Sequence, residues 1–296
     1  MNNCVACIIL NYNNYEDTLK CVNNILEKEC HVDIVIVDNN SDNDSYEILL
    51  KEYKDIKNLY VVKNSSNTGY SAGNNYGIKF IINKNKDVRY LCIMNPDTLF
   101  DNPHLLEKLK TKMDSIEDVA IIAPVMYLRG EKTIEKTCWL LPNNRDFIKR
   151  LFIYYKNKTN NQFLKVEDDI AYTEALHGSF FMIRREVLER IGFFDENLFL
   201  YSEENMIGFQ VKELGKKEIL CLDEYYFHNH PIQTKRLSLK EKLKKSKIAS
   251  NSRMYICKKY YPKYLYPVAL VCTKLNATII VVTHICGNVF GFFRKG

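Results

Sequence analysis

The 296-residue sequence lacks the glycine-rich phosphate-binding motifs of several large nucleotide-binding classes. It contains neither a GxxxxGK[ST] loop nor a GxGxxG fingerprint. Both motifs present backbone N–H groups to phosphates at a helix start, so their absence removes the main support for a kinase, a GTPase or a dehydrogenase. The sequence also lacks low-complexity tracts and repeats with a period of 20 to 50 residues, which argues against a solenoid.

A disulfide framework and a zinc site are likewise not indicated. The ten cysteines are scattered, and several lie inside apolar runs. Cys4 and Cys7 have CxxC spacing, but no second pair and no nearby histidine pair complete a zinc site. We expect thiols that act as small hydrophobic groups in a reducing cytoplasm. The N-terminus has no basic region, and its apolar run from Val5 to Leu10 is too short for a secretory leader, so we expect the cytoplasmic side.

Basic charge is not spread over the sequence. The formal net charge is +6, but residues 232–263 hold eleven Lys or Arg and one acid, which makes this segment +10 and the remainder −4. A nucleic-acid binder needs basic side chains across its folded surface, and no zinc-finger or RNP-like aromatic pattern is present. We therefore expect no nucleic-acid partner.

The first half of the chain instead shows short apolar runs that alternate with helix-period segments. Residues 15–27, for example, place Leu19, Val22, Ile25 and Leu26 on one helical face. The runs are rich in Val and Ile, as in strands covered on both faces: VACIIL, DIVIVDN, LYVVKN, YLCIMNPD and VAIIAP. This alternation predicts an α/β fold with a Rossmann-like, mostly parallel sheet and helices on both faces. Residues 130–169 show no readable pattern.

Asn and Asp are concentrated in the loops that follow four of these runs, at residues 11–14, 38–44, 64–70 and 95–97. Asx residues commonly cap helices and form turns, which explains any single loop. In parallel sheets, however, ligands bind beyond the carboxyl ends of the strands, so four such loops predict a polar cleft.

Three features of these loops allow both a functional and a structural interpretation. Asp38 could accept the N–H of a pyrimidine base or cap a helix that begins near Asp42. Asp97 is a hard oxygen ligand suited to Mg²⁺ or Mn²⁺, or the cap of an Asp-Thr turn. The glycines at 69, 73 and 77 could allow close approach of a ligand or form a helix-packing face.

An ordered set of motifs carries a more specific resemblance. Each motif is weak alone, but together they span most of residues 5–230: ILNYN (9–13), VDNNSDNDS (37–45), NTGYSAGNNYGI (67–78), MNPD (94–97), GSFFMIRREVLERIGFFDE (178–196) and FLYSEEN (199–205). With them the sequence resembles glycosyltransferase family 2, with a GT-A fold, and its rhamnosyltransferase-like subgroup.

The resemblance implies a nucleotide-sugar site, in which Asp38 recognises the base and Asp97 ends a DXD-like metal motif that reads NPD in this subgroup. The residues assigned to this side are Asn11, Asp38, Asn67, Gly73, Asn95 and Asp97. It further implies UDP- or dTDP-sugar donors and Mg²⁺ or Mn²⁺ as cofactor. His228 or His230 corresponds to a histidine near the diphosphate or metal, and HxH spacing in an extended segment puts both rings on one face.

The resemblance also implies a catalytic pair. Glu204 matches the family's base, and Glu203 precedes it as a supporting acid. Without this context, two acids at a helix start would be ordinary first-turn residues favoured by the helix dipole. The sequence departs from the subgroup at Met206, where an acid is common, and this leaves the orientation of the base or acceptor open.

The implied function is metal-dependent, inverting transfer of a hexose or deoxyhexose to a saccharide, lipid-linked, in surface polysaccharide biosynthesis. A non-catalytic nucleotide-sugar-binding or scaffolding subunit is the alternative. A nucleotidyltransferase would need a basic, glycine-rich N-terminal loop, which ILNYNNYED does not provide. We expect a donor-binding half at 1–125, an acceptor-binding and catalytic half at 126–231, and a C-terminal extension at 232–296.

The extension joins a polybasic segment to an apolar one. Residues 267–293 are largely apolar, but Lys274, Asn276, His284 and Asn288 interrupt them, which favours a helix in the membrane interface over a spanning one. Two terminal helices packed on the core are the alternative. Each Lys or Arg near an anionic lipid surface contributes about 1 kcal/mol. We therefore expect peripheral attachment to the inner face of the plasma membrane.

Overall fold

The computed structural model describes residues 3–29, 31–152, 162–229 and 237–293. Of the predicted site residues, His230 lies outside this part of the chain. The chain divides into two compact units, whose members are Met1–Leu141, Asn160–Phe199 and Glu203–His230 in the first, and Pro142–Thr159, Leu200–Ser202 and Pro231–Gly296 in the second. The boundaries predicted from the sequence stay a prediction.

The apolar runs form strands, as the sequence predicts. The strands are β1 Val5–Asn11, β2 Val32–Asp38, β3 Leu59–Lys63, β4 Tyr90–Met94, β5 Thr98–Leu99, β6 Val119–Leu128, β7 Glu131–Lys132, β8 Cys138–Trp139, β9 Lys165–Glu167, β10 Ile170–Thr173, β11 Ala175–Leu176, β12 Phe180–Arg184 and β13 Lys217–His228.

Helices connect most of these strands. They are α1 Tyr15–Lys28, α2 Ser45–Tyr53, α3 Gly69–Lys84, α4 Leu105–Ser115, α5 Ile134–Thr137, α6 Asn144–Arg150, α7 Arg185–Arg190, α8 Glu203–Glu213, α9 Leu239–Tyr260 and α10 Leu265–Phe293.

The main sheet has the strand order β3-β2-β1-β4-β12-β6-β13-β10-β9, with β5 on β13 and β7 on β6. Strands β1 to β4 are mutually parallel. Strand β12 runs antiparallel between β4 and β6, and β13 is parallel to β6. The predicted α/β class is confirmed, and the carboxyl ends of β1, β2 and β3 share one edge, where a ligand cleft is expected.

Strand alternation builds two cores on opposite faces of this sheet. In β1, Cys7 and Ile9 face the core formed with α1, α2 and α4, whereas Ala6 and Ile8 face the core formed with α3, α7 and α8. Cys7 is buried in β1, as predicted for a strand-core thiol, and the cysteines in the described ranges are all free.

The second unit has a small core of its own. Phe147 and Leu151 pack with Cys257, Leu265 and Ala269, which come from the two terminal helices. Helix α9 begins with a capping box, in which the Ser238 side chain accepts from the Glu241 N–H and Glu241 accepts from the Ser238 N–H.

Candidate active site

The nucleotide side of the predicted site lies at the ends of β1 and β2. Asn11 Nδ2 donates to Asp38 Oδ2 at 2.8 Å, because the parallel register places these two residues side by side. Asp38 also accepts from the Ser41 N–H (2.9 Å) and the Ser41 hydroxyl (2.6 Å). A base would have to displace this turn to reach the carboxylate, since Asp38 has no exposed surface. Helix α2 begins at Ser45, so Asp38 does not cap it.

The loop after β3 is hydrogen-bonded to the loop after β2 through Asn39, a residue that the sequence analysis did not single out. Asn39 Nδ2 donates to Asn67 Oδ1 at 3.2 Å and to the Gly69 carbonyl at 3.1 Å. Gly73 is buried, and a Cβ there would lie 2.6 Å from a Leu10 methyl carbon. The packing of α3 against β1 therefore accounts for a glycine at position 73. Asn67 lies at the sheet edge where the ligand cleft is predicted.

On the predicted metal side, Asp97 contacts His228. Their Oδ1 and Nε2 atoms lie 3.2 Å apart, and both side chains are about one-tenth exposed. The contact exists because β13 pairs with β5, which sets His228 opposite Thr98. Two ligands at right angles on one Mg²⁺ or Mn²⁺ ion, each at about 2.1 Å, are about 3 Å apart. The donor types and spacing therefore fit a divalent cation.

A full protein cage for a metal is not formed: the described residues contain no group of three or more His, Cys, Asp or Glu side chains in ligand positions. Substrate phosphates and water commonly complete such a shell. Asn95 lies in the loop after β4, two residues before Asp97. Its backbone N–H donates to the Ser179 carbonyl at 2.8 Å.

Residues 177–179, here called the HGS segment, lie between the predicted metal side and the predicted catalytic pair. His177 Nδ1 accepts from the Ser179 N–H at 3.1 Å, so the Ser179 hydroxyl at 2.8 Å must also donate to it. That hydroxyl then accepts from Tyr226 Oη at 2.7 Å, and the His177 ring proton resides on Nε2. The His177 and His228 ring centroids are 5.5 Å apart.

The other side of the HGS segment contacts the predicted base. The Gly178 N–H donates to Glu204 Oε1 at 3.3 Å, and Tyr70 Oη donates to the Gly178 carbonyl at 2.6 Å. Tyr70 is anchored at the start of α3, where its N–H donates to the Phe199 carbonyl at 2.8 Å. Glu204, Tyr70 and the Gly178 backbone amide are thus held together.

Helix α8 carries the predicted catalytic pair, Glu203 and Glu204, in its first turn. Tyr201 and Ser202 both have positive φ, 75° and 71°, so the chain turns sharply before Glu203. Gly208 lets the helix approach the backbone closely, because a Cβ there would lie 2.1 Å from the Glu174 carbonyl oxygen. Glu203 is buried and Glu204 is half-buried, so Glu204 is the one that can meet a substrate.

The two residues after the pair face in different directions. Met206 is 1% exposed, so the position where the subgroup has an acid is part of the protein core. Asn205 Oδ1 accepts from Trp139 Nε1 at 2.8 Å, which brings the chain's single tryptophan next to the base-bearing turn.

Burial changes the acidity of the groups around the base. It raises the pKa of Glu204, while its own backbone N–H and that of Gly178 act in the opposite direction. Burial, followed by the charges of Glu204 and Glu203, raises the pKa of Tyr70 well above its ordinary value. A carboxylate with a raised pKa is a stronger proton acceptor, and Tyr70 remains a neutral donor.

The family model of glycosyl transferase family 2 matches residues 6–192, which is more than half of the chain. The chain belongs to glycosyltransferase family 2. Membership of this family assigns it to the glycosyltransferases. The rhamnosyltransferase-like subgroup stays a prediction.

A curated relative supports the same class. The chain is 26% identical over 244 residues to the low-salt glycan biosynthesis hexosyltransferase Agl10 of Haloferax volcanii, over 78% of this chain and 69% of the relative.

Solved structures establish the GT-A fold. GalNAc-T7 with UDP, GalNAc and Mn²⁺ superposes with a TM-score of 0.64 at 14% identity, over 89% of this chain. The chain spans about half of that protein's length, 49%. The mannosyltransferase PcManGT from Pyrobaculum calidifontis with GDP-Man and Mn²⁺ gives 0.58 at 13% identity, over 99% and 81% of the two chains. S. aureus TarS 1-349 with UDP-GlcNAc gives 0.53 at 14%, over 86% and 66%.

Sequence reasoning missed three residues beside the base. His177 has no histidine partner along the sequence, Tyr70 is one of 20 tyrosines, and Trp139 lies in the segment without a readable pattern. The rarity of tryptophan was the only available signal, and it applies to Trp139 alone. Their proximity to Glu204 and His228 depends on strand pairing between β8 and β11 and on the position of α3.

Proposed function

We propose that the chain transfers a hexosyl or deoxyhexosyl group, with inversion, from a nucleotide-diphosphate sugar to a saccharide acceptor. The observation that carries the proposal is the position of the HGS segment between two chemically different groups. Ser179 accepts from Asn95 on the metal side, and Gly178 donates to Glu204 on the other. A sugar over this segment would have its diphosphate near Asp97 and an acceptor near Glu204.

Glu204 supplies the base in the proposed reaction. An acceptor hydroxyl is a poor nucleophile at neutral pH, so a carboxylate within hydrogen-bond reach has to take its proton as it attacks the anomeric carbon. The half-buried Glu204, with its raised pKa, suits this role, and the Gly178 N–H fixes one of its oxygens. The buried Glu203 supports the turn that presents it.

Asp97 and His228 would hold a divalent cation, Mg²⁺ or Mn²⁺. When bound, such an ion offsets the negative charge that develops on the leaving diphosphate. Two of the structural neighbours were solved with Mn²⁺, which supports a divalent cation here. His228 takes the role predicted for one of the two histidines, because it contacts Asp97 directly.

Donor recognition falls to the loops after β1, β2 and β3. Pyrimidine donors, UDP- or dTDP-sugars, fit the resemblance through Asp38, provided that the Ser41 turn opens. The structural neighbours were solved with UDP, GDP-Man and UDP-GlcNAc, so the fold alone does not decide which nucleobase the donor carries. Asn11 and Asn67 would contact the nucleotide from the same edge.

The acceptor is proposed to be a lipid-linked glycan of a surface polysaccharide, reached from a cytoplasmic membrane surface. Helices α9 and α10 support this part. Residues 265–286 are long and apolar enough to cross a membrane by length and composition, and most of this stretch is not buried within the protein. Exposed lysines on α9 provide the matching cationic surface: Lys240, Lys244, Lys245 and Lys247.

The test combines a panel of nucleotide-sugar donors with substitution of the proposed catalytic base, Glu204. UDP-, dTDP- and GDP-sugars are titrated with and without Mn²⁺, and the best donor is assayed with oligosaccharide and polyprenyl-linked acceptors. Glu204→Gln should reduce kcat by about 10²-fold or more, the usual contribution of a general base, with donor Kd changed less than about twofold. Glu213→Gln, an exposed acid at the other end of α8, is the matched control and should keep full activity.

Two outcomes would contradict the proposal. Near-normal turnover by Glu204→Gln would rule out this base. Donor binding without transfer to any acceptor would favour the alternative, a non-catalytic nucleotide-sugar-binding subunit of an assembly complex.

A further inference from the structure

A second glutamate lies behind the proposed base, inside the protein. Glu218 is the second residue of β13, between Ile121 of β6 and Thr173 of β10. It is 3% exposed, and its Oε1 atom has no hydrogen-bond partner among the described residues. A buried carboxyl with an unused oxygen is costly, so the protein should have a use for it.

A small cavity connects the two glutamates. Its lining combines both carboxyls with four apolar side chains: Ile121, Leu176, Phe181, Ile207, Glu204 and Glu218. Its volume of about 10 Å³ is close to the minimum for one water molecule, and the two carboxyls offer that water polar partners. Both glutamates thus border the same small and largely apolar space.

The charges around the pair do not favour ionisation of Glu218. Besides Glu204, the acid that acts on Glu218 is Glu174, which is itself paired with Lys212 (2.6 Å) and accepts from the Leu141 N–H (2.9 Å). The charges of Glu174 and Glu204 act on Glu218 in the same direction as its burial, and together they raise its pKa well above the ordinary value; only the Leu176 N–H opposes them.

The groups facing Glu204 come from three elements. Tyr70 approaches from α3, the Gly178 N–H from the HGS segment, and Glu203 from the same helix turn. Two carboxylates in a water-poor site cannot both ionise at neutral pH, so the more enclosed one keeps its proton. Glu218 is fully enclosed and Glu204 half-buried, which makes Glu218 the protonated member.

We propose that Glu218 is a positioning residue for the base, and that it acts through a water molecule in this cavity. Its protonated carboxyl donates to the water, and the water donates to the inner side of the Glu204 carboxylate. This interaction keeps Glu204 ionised and oriented, ready to accept the acceptor's proton. The inference rests on the proposed function only in calling Glu204 the base. The pairing of Glu218 with Glu204 does not depend on that function.

The pairing can be measured without substrate. In protein labelled with ¹³C at the glutamate side-chain carboxyl, the Glu204 signal is identified by its loss in Glu204→Gln and followed against pH. Glu218→Leu removes the donor and should lower the Glu204 ionisation constant about tenfold, a rise of about one pH unit. Glu218→Gln keeps a neutral N–H donor and should change the constant less than about threefold.

Ile207→Val is the matched control, since it also lines the cavity but carries no polar group. It should leave the Glu204 titration unchanged. The acidic limb of kcat/KM should shift with the NMR midpoint in each variant, which a purely structural role would not produce. In the unmodified protein the ¹³C chemical shift of the Glu218 carboxyl should be that of a protonated carboxyl at pH 7. This measurement tests the proposal even if a variant fails to fold.

An ionised Glu218 at pH 7, or a Glu204 midpoint that falls or stays constant in Glu218→Leu, would overturn the inference. An active Glu204→Gln enzyme would instead overturn the proposed base. The two failures are therefore distinguishable.

Discussion

At the residue scale, the site depends on pairs of side chains from distant parts of the chain. Asp97 follows β4 and His228 ends β13, yet their oxygen and nitrogen atoms are 3.2 Å apart. Neither residue is exposed enough to be solvated freely, so the contact fixes both side chains before any ligand arrives. Such preorganised donors need little rearrangement to bind a cation.

The metal prediction belongs to this pair. Asp97→Asn and His228→Ala should each weaken Mn²⁺ binding in the presence of UDP by about tenfold or more, since each removes one of the two proposed protein ligands. Electron paramagnetic resonance of free Mn²⁺ measures the affinity. His31→Ala, at an exposed histidine, should bind Mn²⁺ as the unmodified protein does. Unchanged Mn²⁺ affinity in both site variants would refute the assignment.

At the element scale, helices are positioned by polar contacts that sequence periodicity does not reveal. Glu29, just after α1, accepts from the Leu106 N–H at 2.8 Å and so satisfies one of the free N–H groups at the start of α4. Burial raises the pKa of Glu29 to about 7, with a smaller opposing effect of the Leu106 N–H. This contact couples two helices on the same face of the sheet.

A pH-dependent stability follows from Glu29. Its folded pKa is raised, so the free energy of unfolding should be highest below the unfolded pKa of about 4.5 and should fall until about pH 7. Glu29→Gln does not titrate there and should be more stable than the unmodified protein at pH 8, by up to about 3 kcal/mol, and equal near pH 4.5. Urea unfolding at the two pH values measures this.

Glu47→Gln, at an exposed acid on α2, is the control: it retains Glu29, so its free energy of unfolding should follow that of the unmodified protein at both pH values. A stability difference for Glu29→Gln that is the same at both pH values would show that Glu29 does not hold a proton in the folded state.

At the scale of the whole molecule, the C-terminal helices have an apolar surface of their own. Two of the polar residues that interrupt α10 face α9, whereas Lys274 is exposed: Asn276 Nδ2 donates to Ser246 Oγ at 3.3 Å, and His284 Nδ1 lies 3.4 Å from Lys242 Nζ. The outer face is mostly aliphatic and about half exposed, at Val268, Val271, Leu275, Val282 and Ile285. An aliphatic face beside a lysine-rich helix fits an anionic lipid surface.

The full chain should therefore float with vesicles of phosphatidylglycerol and phosphatidylcholine at low salt. Val271→Glu combined with Leu275→Glu should reduce the bound fraction several-fold, because both carboxylates would enter the interface. Val166→Glu, an exposed valine on β9, is the control and should bind normally. If the unmodified protein stays in the soluble fraction at low salt, the membrane proposal fails.

The sequence by itself determined the α/β class, the strand runs, helix α1 and the membership of glycosyltransferase family 2, since hydrophobic period and local motifs are properties of neighbouring residues. Through resemblance it also indicated Asp97, Glu204 and either His228 or His230. The tertiary structure alone decided that Gly73 packs against Leu10, that Met206 lies in the core, and that His177, Tyr70 and Trp139 adjoin the site. Likewise, only the packing of α8 against β13 placed Glu218 behind Glu204. These facts depend on strand order and helix placement between segments far apart in the chain, and local periodicity carries no information about such contacts.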